Sequence, residues 1–225
     1  MVAERARSVV AAASRTLRVV PGTDFRPLSR RGIDHRVAFA AVALWWSLAP
    51  DAASTPAAAQ LLELTAFLWF AASGIVLTVI DLDTRRLPHA ITTTALVVCT
   101  VLLGAAAATG AGWDAALRAG IGAAGLFVFY ATLRLIRPDG MGGGDVRLAG
   151  VCGLMLGWLG WGPLLVGAFA AFALGGVFGI ALMLRGRAGR RSAIAFGPWI
   201  VVGAWLGVFA GESLAVSYLT LSGVV

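Results

Sequence analysis

The chain has 225 residues, of which 59% are hydrophobic and 13% charged, and its mean hydropathy of +0.87 excludes an ordinary soluble domain. A formal net charge of +7 is typical of some nucleic-acid-binding proteins, but here the arginines lie in short clusters between apolar runs. The composition therefore predicts an all-α, polytopic helical membrane protein in contact with lipid, without a nucleic-acid partner, whose arginines set its orientation in the bilayer.

Residues 1–36 contain eight arginines and lack the continuous apolar core that a secretory signal peptide needs. We expect an Arg-rich cytoplasmic arm here, partly amphipathic or disordered, followed by one helical membrane domain at residues 37–225. The two cysteines, Cys99 and Cys152, fall inside apolar runs and are predicted to pack as small hydrophobic side chains. No C-x-x-C metal or redox motif is present in the sequence.

Apolar runs divide the membrane domain into about seven transmembrane helices, within a range of six to eight. The predicted spans are 37–48 (possible limits 33–50), 61–80, 90–109, 115–136, 146–158, 164–184 and 195–210. The tail at 211–225 is predicted to be an interfacial helix or an extension of the last span. Arg118, near the start of the fourth span, has to snorkel or face protein. The tryptophans at span ends are expected to form interfacial belts: Trp45, Trp46, Trp158 and Trp161.

The charges predict which ends of these spans face the cytoplasm. With a cytoplasmic amino terminus, seven spans place nearly all arginine clusters on the cytoplasmic side and the carboxyl terminus outside. The residues expected on the outer side are Asp51, Glu63, Asp114, Glu212 and Arg118. The pattern fits a multi-pass protein of the cell membrane. Glycines spaced by four at 175–179 and 203–211 predict close helix packing within the bundle.

Two polar stretches carry the candidate chemistry. Asp81 ends the second span and begins the polar loop 81–89, and Asp145 lies in the glycine-rich stretch 137–147 before the fifth span. Because two antiparallel helices separate them, the topology places both carboxylates at one membrane face and at similar depth. Two carboxyl groups about 3 Å apart share a proton, so that one activates water while the other polarises a carbonyl group. This is the chemistry of aspartyl proteolysis, and it needs neither a metal nor an organic cofactor.

The residues around the two aspartates suggest how they would be brought together. Gly142, Gly143 and Gly144 predict an irregular backbone that bends Asp145 toward Asp81 and leaves room for an extended substrate. Pro88 is predicted to stop the preceding helix and to set the entry to the next span. Asp83 is a secondary candidate, which faces another way if the helix continues past Asp81. For Asp145 the alternative role is a simple helix cap, and Asp139 is most simply a turn residue in water.

These motifs resemble the type IV prepilin peptidases, membrane aspartyl proteases with a G-x-G-D signature. The resemblance lies in Asp81 with Leu87-Pro88, in the run from Gly142 to Leu148, and in Phe196-Gly197-Pro198, and it covers roughly residues 60–210. It implies that Asp81 and Asp145 are the catalytic pair. It also implies that the substrate is a pilin-like precursor, whose short basic leader is removed at the cytoplasmic face, as in type IV pilus or protein secretion systems.

Some features depart from that pattern or leave other functions open. Larger family members carry paired cysteines in a region linked to N-methylation, and their absence argues against methyltransferase activity in this chain. His89 stands where the family more often has Asp or Asn. An ion-coupled transporter or channel could also hold aspartates at helix ends, although no inverted repeat is evident. A non-catalytic scaffold of a secretion system is a third possibility, and the oligomeric state cannot be derived from the sequence.

Overall fold

The computed structural model describes residues 55–84, 87–136, 141–184 and 196–223, and within these ranges every regular element is a helix. The predicted all-α class is therefore confirmed. The helices are α1 (Ala57–Thr84), α2 (His89–Ala106), α3 (Trp113–Ile136), α4 (Gly143–Leu159), α5 (Trp161–Leu184) and α6 (Gly197–Leu221). The N-terminal arm, the first predicted span and the arginine loop 185–191 lie outside the described residues.

Five of the six described helices are long and apolar enough to cross a membrane. They are α1, α3, α5, α6, and α2 together with the π-helical turn Ala107–Ala111 that extends it. They correspond to the second, third, fourth, sixth and seventh predicted spans. The chain is therefore a multi-pass membrane protein. The α6 helix runs without interruption to Leu221, so the tail from residue 211 extends the last span instead of forming a separate interfacial helix.

The short helix α4 occupies the centre of the bundle and packs against α2, α3, α5 and α6. All of its 17 residues are buried except Gly143, Arg147 and Leu159. A helix that is apolar on every side needs an apolar surrounding, and for α4 the neighbouring helices provide it. In contrast, α3 presents side chains such as Leu117, Ile121 and Val128 outward, where they are more than half exposed, as a lipid-facing helix would.

Consecutive helices alternate in direction, so their termini form two ends of the bundle. At the end we call the Asp end, the last turns of α1 and α3 meet the first turns of α4 and α6, with Leu87 packed between Gly144 and Gly197. At the opposite or far end, Pro56 packs on Gly110 and Pro163 on Gly211. The two ends therefore hold different sets of polar residues.

Polar groups at the far end anchor α4. Arg118 faces protein, which was one of its two predicted orientations. Its Nε atom donates a hydrogen bond to the Gly157 carbonyl, and a terminal nitrogen donates one to the Trp158 carbonyl, both at 3.0 Å. A cation bonded to the last carbonyls of a helix satisfies groups that have no partner within the helix. Glu63 is buried and pairs with the Trp158 side chain. The prediction that Trp158 belongs to an interfacial belt is wrong, because its side chain is only 5% exposed.

Glycines allow backbones to touch at two interfaces. Along α6, the predicted series Gly203, Gly207 and Gly211 faces Ala171, Gly167 and Pro163 of α5 so closely that a methyl group would collide at each. A second contact, which the sequence analysis did not single out, brings Gly122 of α3 against Gly153 and Gly157 of α4. Gly175 does not serve such a backbone contact, because its partner is the ring of Phe196.

Candidate active site

Asp81 lies in the last turns of α1, which continues to Thr84 and does not end at Asp81 as the predicted loop implied. The side chain is buried, and its Oδ2 atom accepts a hydrogen bond of 3.1 Å from the backbone N–H of Gly197 at the start of α6. A carboxylate next to a helix start is stabilised by the unpaired N–H groups there and by the positive end of the helix dipole. Asp81 is thus held by an element distant in sequence.

Asp145 lies in the first turn of α4, three residues after the N-cap Gly142. Its Oδ2 atom accepts a 3.1 Å hydrogen bond from the Gly142 N–H, which is the carboxylate half of a capping box. Asp145 therefore does cap the helix, which was its alternative predicted role, but capping uses only one of its two carboxylate oxygens. Oδ1 is buried and has no hydrogen-bond partner among the described residues, and such an atom calls for a further explanation.

The two carboxyl groups interact electrostatically. Burial is the main cause that raises the pKa of Asp145, the charge of Asp81 adds to this increase, and the Gly142 N–H opposes it. Like charges near each other disfavour double ionisation, so burial and the charge of Asp81 both favour a retained proton on Asp145. The structure thus brings Asp81 and Asp145 to the same end of the bundle, with carboxyl groups close enough to influence each other.

Space, and not backbone irregularity, explains most of the glycines before Asp145. Gly143 and Gly144 lie inside the first helical turn of α4, so the predicted irregular backbone is wrong for these two residues. A Cβ atom at Gly144 would collide with Leu87, including its carbonyl oxygen at 3.1 Å, and one at Gly143 would collide with the guanidinium group of Arg134. Gly142 is exposed and extended, and only the side chain of Asp145 comes near it.

The other residues for which a role was predicted are Pro88, Asp83 and Asp139. Pro88 is the N-cap of α2, in an extended conformation, so the prediction that it sets the entry to the next span is confirmed. Asp83 is exposed on α1, because the continuing helix turns it away from the buried face that carries Asp81. Asp139 lies outside the described residues.

Two contributions to this site were missed at the sequence level, and a third residue, Thr78, lies one helical turn before Asp81. The Gly197 N–H binds Asp81, although the sequence marked Phe196-Gly197-Pro198 only as a motif. Thr78 precedes Asp81 by three residues on α1, and its Oγ1 atom is the other buried polar atom without a partner in the described part of the chain. Tyr130 of α3 is fully buried within electrostatic range of Asp145. Helical spacing could have suggested Thr78, whereas Tyr130 and the Gly197 N–H depend on tertiary packing.

Within residues 55–84, 87–136, 141–184 and 196–223, no group of three or more His, Cys, Asp or Glu side chains could hold a metal ion. Cys99 and Cys152 are both buried and form no disulfide, as predicted for small hydrophobic side chains.

Comparison with known proteins gives a family match over the region that contains both aspartates. Residues 65–180 match the model of the type IV leader peptidase family. The prepilin leader peptidase/N-methyltransferase of Bacillus subtilis is 34% identical over 110 residues, which are 49% of this chain and 42% of that protein. The enzyme of the same name from Aeromonas salmonicida is 32% identical over 149 residues, 65% of this chain and 49% of that protein.

A shorter relative matches as well. The leader peptidase HopD of Salmonella typhimurium is 36% identical over 96 residues, 41% of this chain and 59% of that protein. The chain spans about half the length of the curated relatives it matches, and no solved structure matches it significantly. Since the matched region covers half of the sequence and contains both Asp81 and Asp145, the chain belongs to the type IV leader peptidase family.

Proposed function

We propose that this protein is a membrane-embedded aspartyl endopeptidase that removes the short basic leader from type IV prepilin-like precursors. The observation that carries the proposal is the meeting of two buried carboxyl groups, Asp81 and Asp145, at one end of the bundle in a member of a leader peptidase family. Relatives named as prepilin leader peptidases support the substrate class. The proposal concerns the peptidase reaction alone.

In the proposed mechanism, Asp81 and Asp145 share one proton and act as a unit. The ionised carboxyl group takes a proton from a water molecule, whose oxygen attacks the carbonyl carbon of the leader peptide bond. The protonated carboxyl group donates its proton to the carbonyl oxygen. When the tetrahedral intermediate collapses, the C–N bond breaks and a carboxyl group returns the proton to the leaving amine. The partnerless Oδ1 of Asp145 supports this role, because it is free to bind the attacking water or the substrate carbonyl.

The orientation of the site is part of the proposal. We place the Asp end at the cytoplasmic face of the cell membrane, because the arginine clusters at 85–86, 134–147 and 185–191 flank the helix termini that meet there. At this face the basic leader of a precursor is in water while its apolar helix is in lipid. The peptide bond between the two segments then lies at the depth of the carboxyl pair.

Leader removal from a pilin-like precursor tests the proposal directly. The chain is co-expressed with a precursor that has a basic leader ahead of an apolar helix, and cleavage is followed by the mass of the product. We expect Asp81→Asn and Asp145→Asn each to reduce the rate by on the order of 10²-fold to 10⁴-fold, because each removes a general acid–base group. Asp114→Asn, an exposed change at the far end, is the matched control and should cleave like the parent.

Two outcomes would overturn the proposal. If the Asp81→Asn and Asp145→Asn variants cleave as fast as the parent, the pair is not catalytic. If Asp83→Asn abolishes cleavage while Asp81→Asn retains it, the assignment within α1 is wrong.

A further inference from the structure

The carboxyl group of Asp81 is located by the start of α6 rather than by its own helix. The Gly197 N–H donates to Oδ2 at 3.1 Å, and a Cβ atom at residue 197 would lie only 2.7 Å from the same oxygen. Both atoms are buried, so bulk water does not replace this bond readily. Any movement of the first turn of α6 therefore moves or releases a carboxylate oxygen of Asp81.

Phe196 immediately precedes this turn. It is the N-cap of α6, and its apolar ring makes no cap hydrogen bond. The ring lies in a notch over Gly175 of α5, where a Cβ atom would be 2.5 Å from Cε2 and 2.9 Å from Cζ. It also packs against Phe172 and Tyr130, with ring centroids 5.6 Å and 6.4 Å apart. These contacts connect α3 and α5 to the backbone atom that binds Asp81.

We infer that Phe196, seated in the notch over Gly175, is a positioning residue that holds the Gly197 N–H on Asp81 and thereby keeps one carboxyl group of the pair ionised and aligned. The inference rests on the proposed function, since it gives the α5–α6 contact a role in the same reaction. It assigns Gly175 the task of leaving space for an aromatic ring, in contrast to the close packing of helix backbones that glycine spacing alone predicts. Phe196 acts through Gly197 and does not touch the reacting atoms.

Few other charges surround the pair in the described part of the chain. Asp145 of α4 is its partner, Tyr130 of α3 is the nearby phenol, and Arg134 of α3 lies beside the first turn of α4. Asp83 of α1 and His89 of α2 are exposed, and Arg147 of α4 is half-buried. The described residues of α5 and the first turn of α6 carry no titratable side chain. A change in the pH profile after a substitution in α5 would therefore act through position, because the substitution removes no charge.

Gly175→Ala tests the inference, with Gly176→Ala as its matched control. A methyl group at residue 175 displaces the Phe196 ring, whereas one at residue 176 meets nothing within 4 Å. We expect Gly175→Ala to slow leader cleavage on the order of 10-fold to 100-fold. We also expect the acidic limb of its pH–rate profile to move about one unit toward higher pH, because loss of the N–H donor destabilises the ionised form. Gly176→Ala should leave rate and profile unchanged.

Two further variants separate positioning from general damage. In the Gly175→Ala background, Phe196→Leu shortens the side chain that collides and should recover at least part of the rate. A backbone ester at residue 197, made by inserting glycolic acid in place of glycine, replaces the N–H by an oxygen and changes no side chain, although it also weakens the Phe196 carbonyl as an acceptor for the first turn of α6. It should shift the acidic limb by a similar amount. If Gly175→Ala does not accumulate in the membrane, Phe196→Leu alone takes its place, and the inference requires both this variant and the ester to shift the acidic limb.

The outcomes distinguish this inference from the proposed function. If the parent does not cleave, or if the Asp81→Asn and Asp145→Asn variants remain active, the peptidase proposal fails. If the parent cleaves and depends on both aspartates, while Gly175→Ala or the ester matches Gly176→Ala in rate and pH profile, the positioning role of Phe196 is refuted and the peptidase proposal stands.

Discussion

At the residue scale, the environment of Asp145 has a measurable cost for the folded state. Its usual pKa of 3.8 is raised in the fold, first by burial and then by the charge of Asp81. At a pH below this usual value, the carboxyl group is protonated in both folded and unfolded chains. As the pH rises, the unfolded chain releases the proton before the folded chain does. The folded state is therefore progressively destabilised until the pH exceeds the raised pKa.

This cost predicts that Asp145→Asn stabilises the protein near neutral pH. The neutral amide needs no proton, and its oxygen can still accept the hydrogen bond from Gly142. We expect the variant to unfold several degrees above the parent at pH 7, with a difference that shrinks toward zero near pH 4. Thermal unfolding of the detergent-solubilised protein, followed by tryptophan fluorescence, measures this difference. A difference in unfolding temperature that does not change with pH would contradict this prediction. The same difference in the exposed Asp114→Asn control would also contradict it.

The two aspartates were predictable from the sequence, but their surroundings were not. Charge alternation placed Asp81 and Asp145 at one face, and the structure brings them to the same end of the bundle. The glycines before Asp145 were misinterpreted, because the helix propensity of a residue says nothing about its neighbours. At Gly144, the collision that a side chain would make with Leu87 outweighs the cost of about 1 kcal/mol for glycine in a helix.

At the scale of helices, glycine contacts decide how closely elements approach. Close packing along α6 was anticipated from the spacing of Gly203, Gly207 and Gly211, although its partner α5 was not. The interface of α3 and α4 was not, although Gly153 and Gly157 show the same four-residue spacing. Their partner Gly122 lies on another helix, and spacing within one helix cannot identify a partner. Helix ends were also uncertain, since α1 continues through Asp81 and Asp83 to Thr84.

The α3–α4 contact predicts a sharp difference between two glycines of α3. A Cβ atom at Gly122 would collide with the Gly153 carbonyl oxygen and lie 3.3 Å from Gly157 Cα, whereas Gly120 has open space around it. We expect Gly122→Ala to destabilise the protein by about 1–3 kcal/mol through overpacking. Gly120→Ala should be neutral or stabilising by up to about 1 kcal/mol, because alanine favours the helix. Denaturant titration of both variants in mixed micelles provides the comparison, and equal stabilities would rule out the backbone contact.

At the scale of the whole molecule, the proposed orientation can be tested with single cysteines. Both native cysteines are buried, so they contribute little background labelling. Asp83→Cys at the Asp end and Asp114→Cys at the far end replace exposed residues. In intact cells, a membrane-impermeant maleimide should label Asp114→Cys and leave Asp83→Cys unlabelled until the cells are opened. The reverse pattern would place the carboxyl pair on the outer face and would exclude the cytoplasmic site.

The length of α4 has a consequence for the substrates of the proposed peptidase. Its 17 residues span about 26 Å, which falls short of a hydrocarbon layer of about 30 Å. Because α4 is enclosed by other helices and does not face lipid, it need not span the whole layer, and we place its first turn, with Asp145, below the lipid headgroups. The proposed carboxyl pair then lies at a fixed depth, where an apolar segment ends and water begins. The proposed peptidase would then recognise its cleavage point by its depth in the membrane as well as by residue type. Soluble peptides that carry the same leader would therefore be poor substrates.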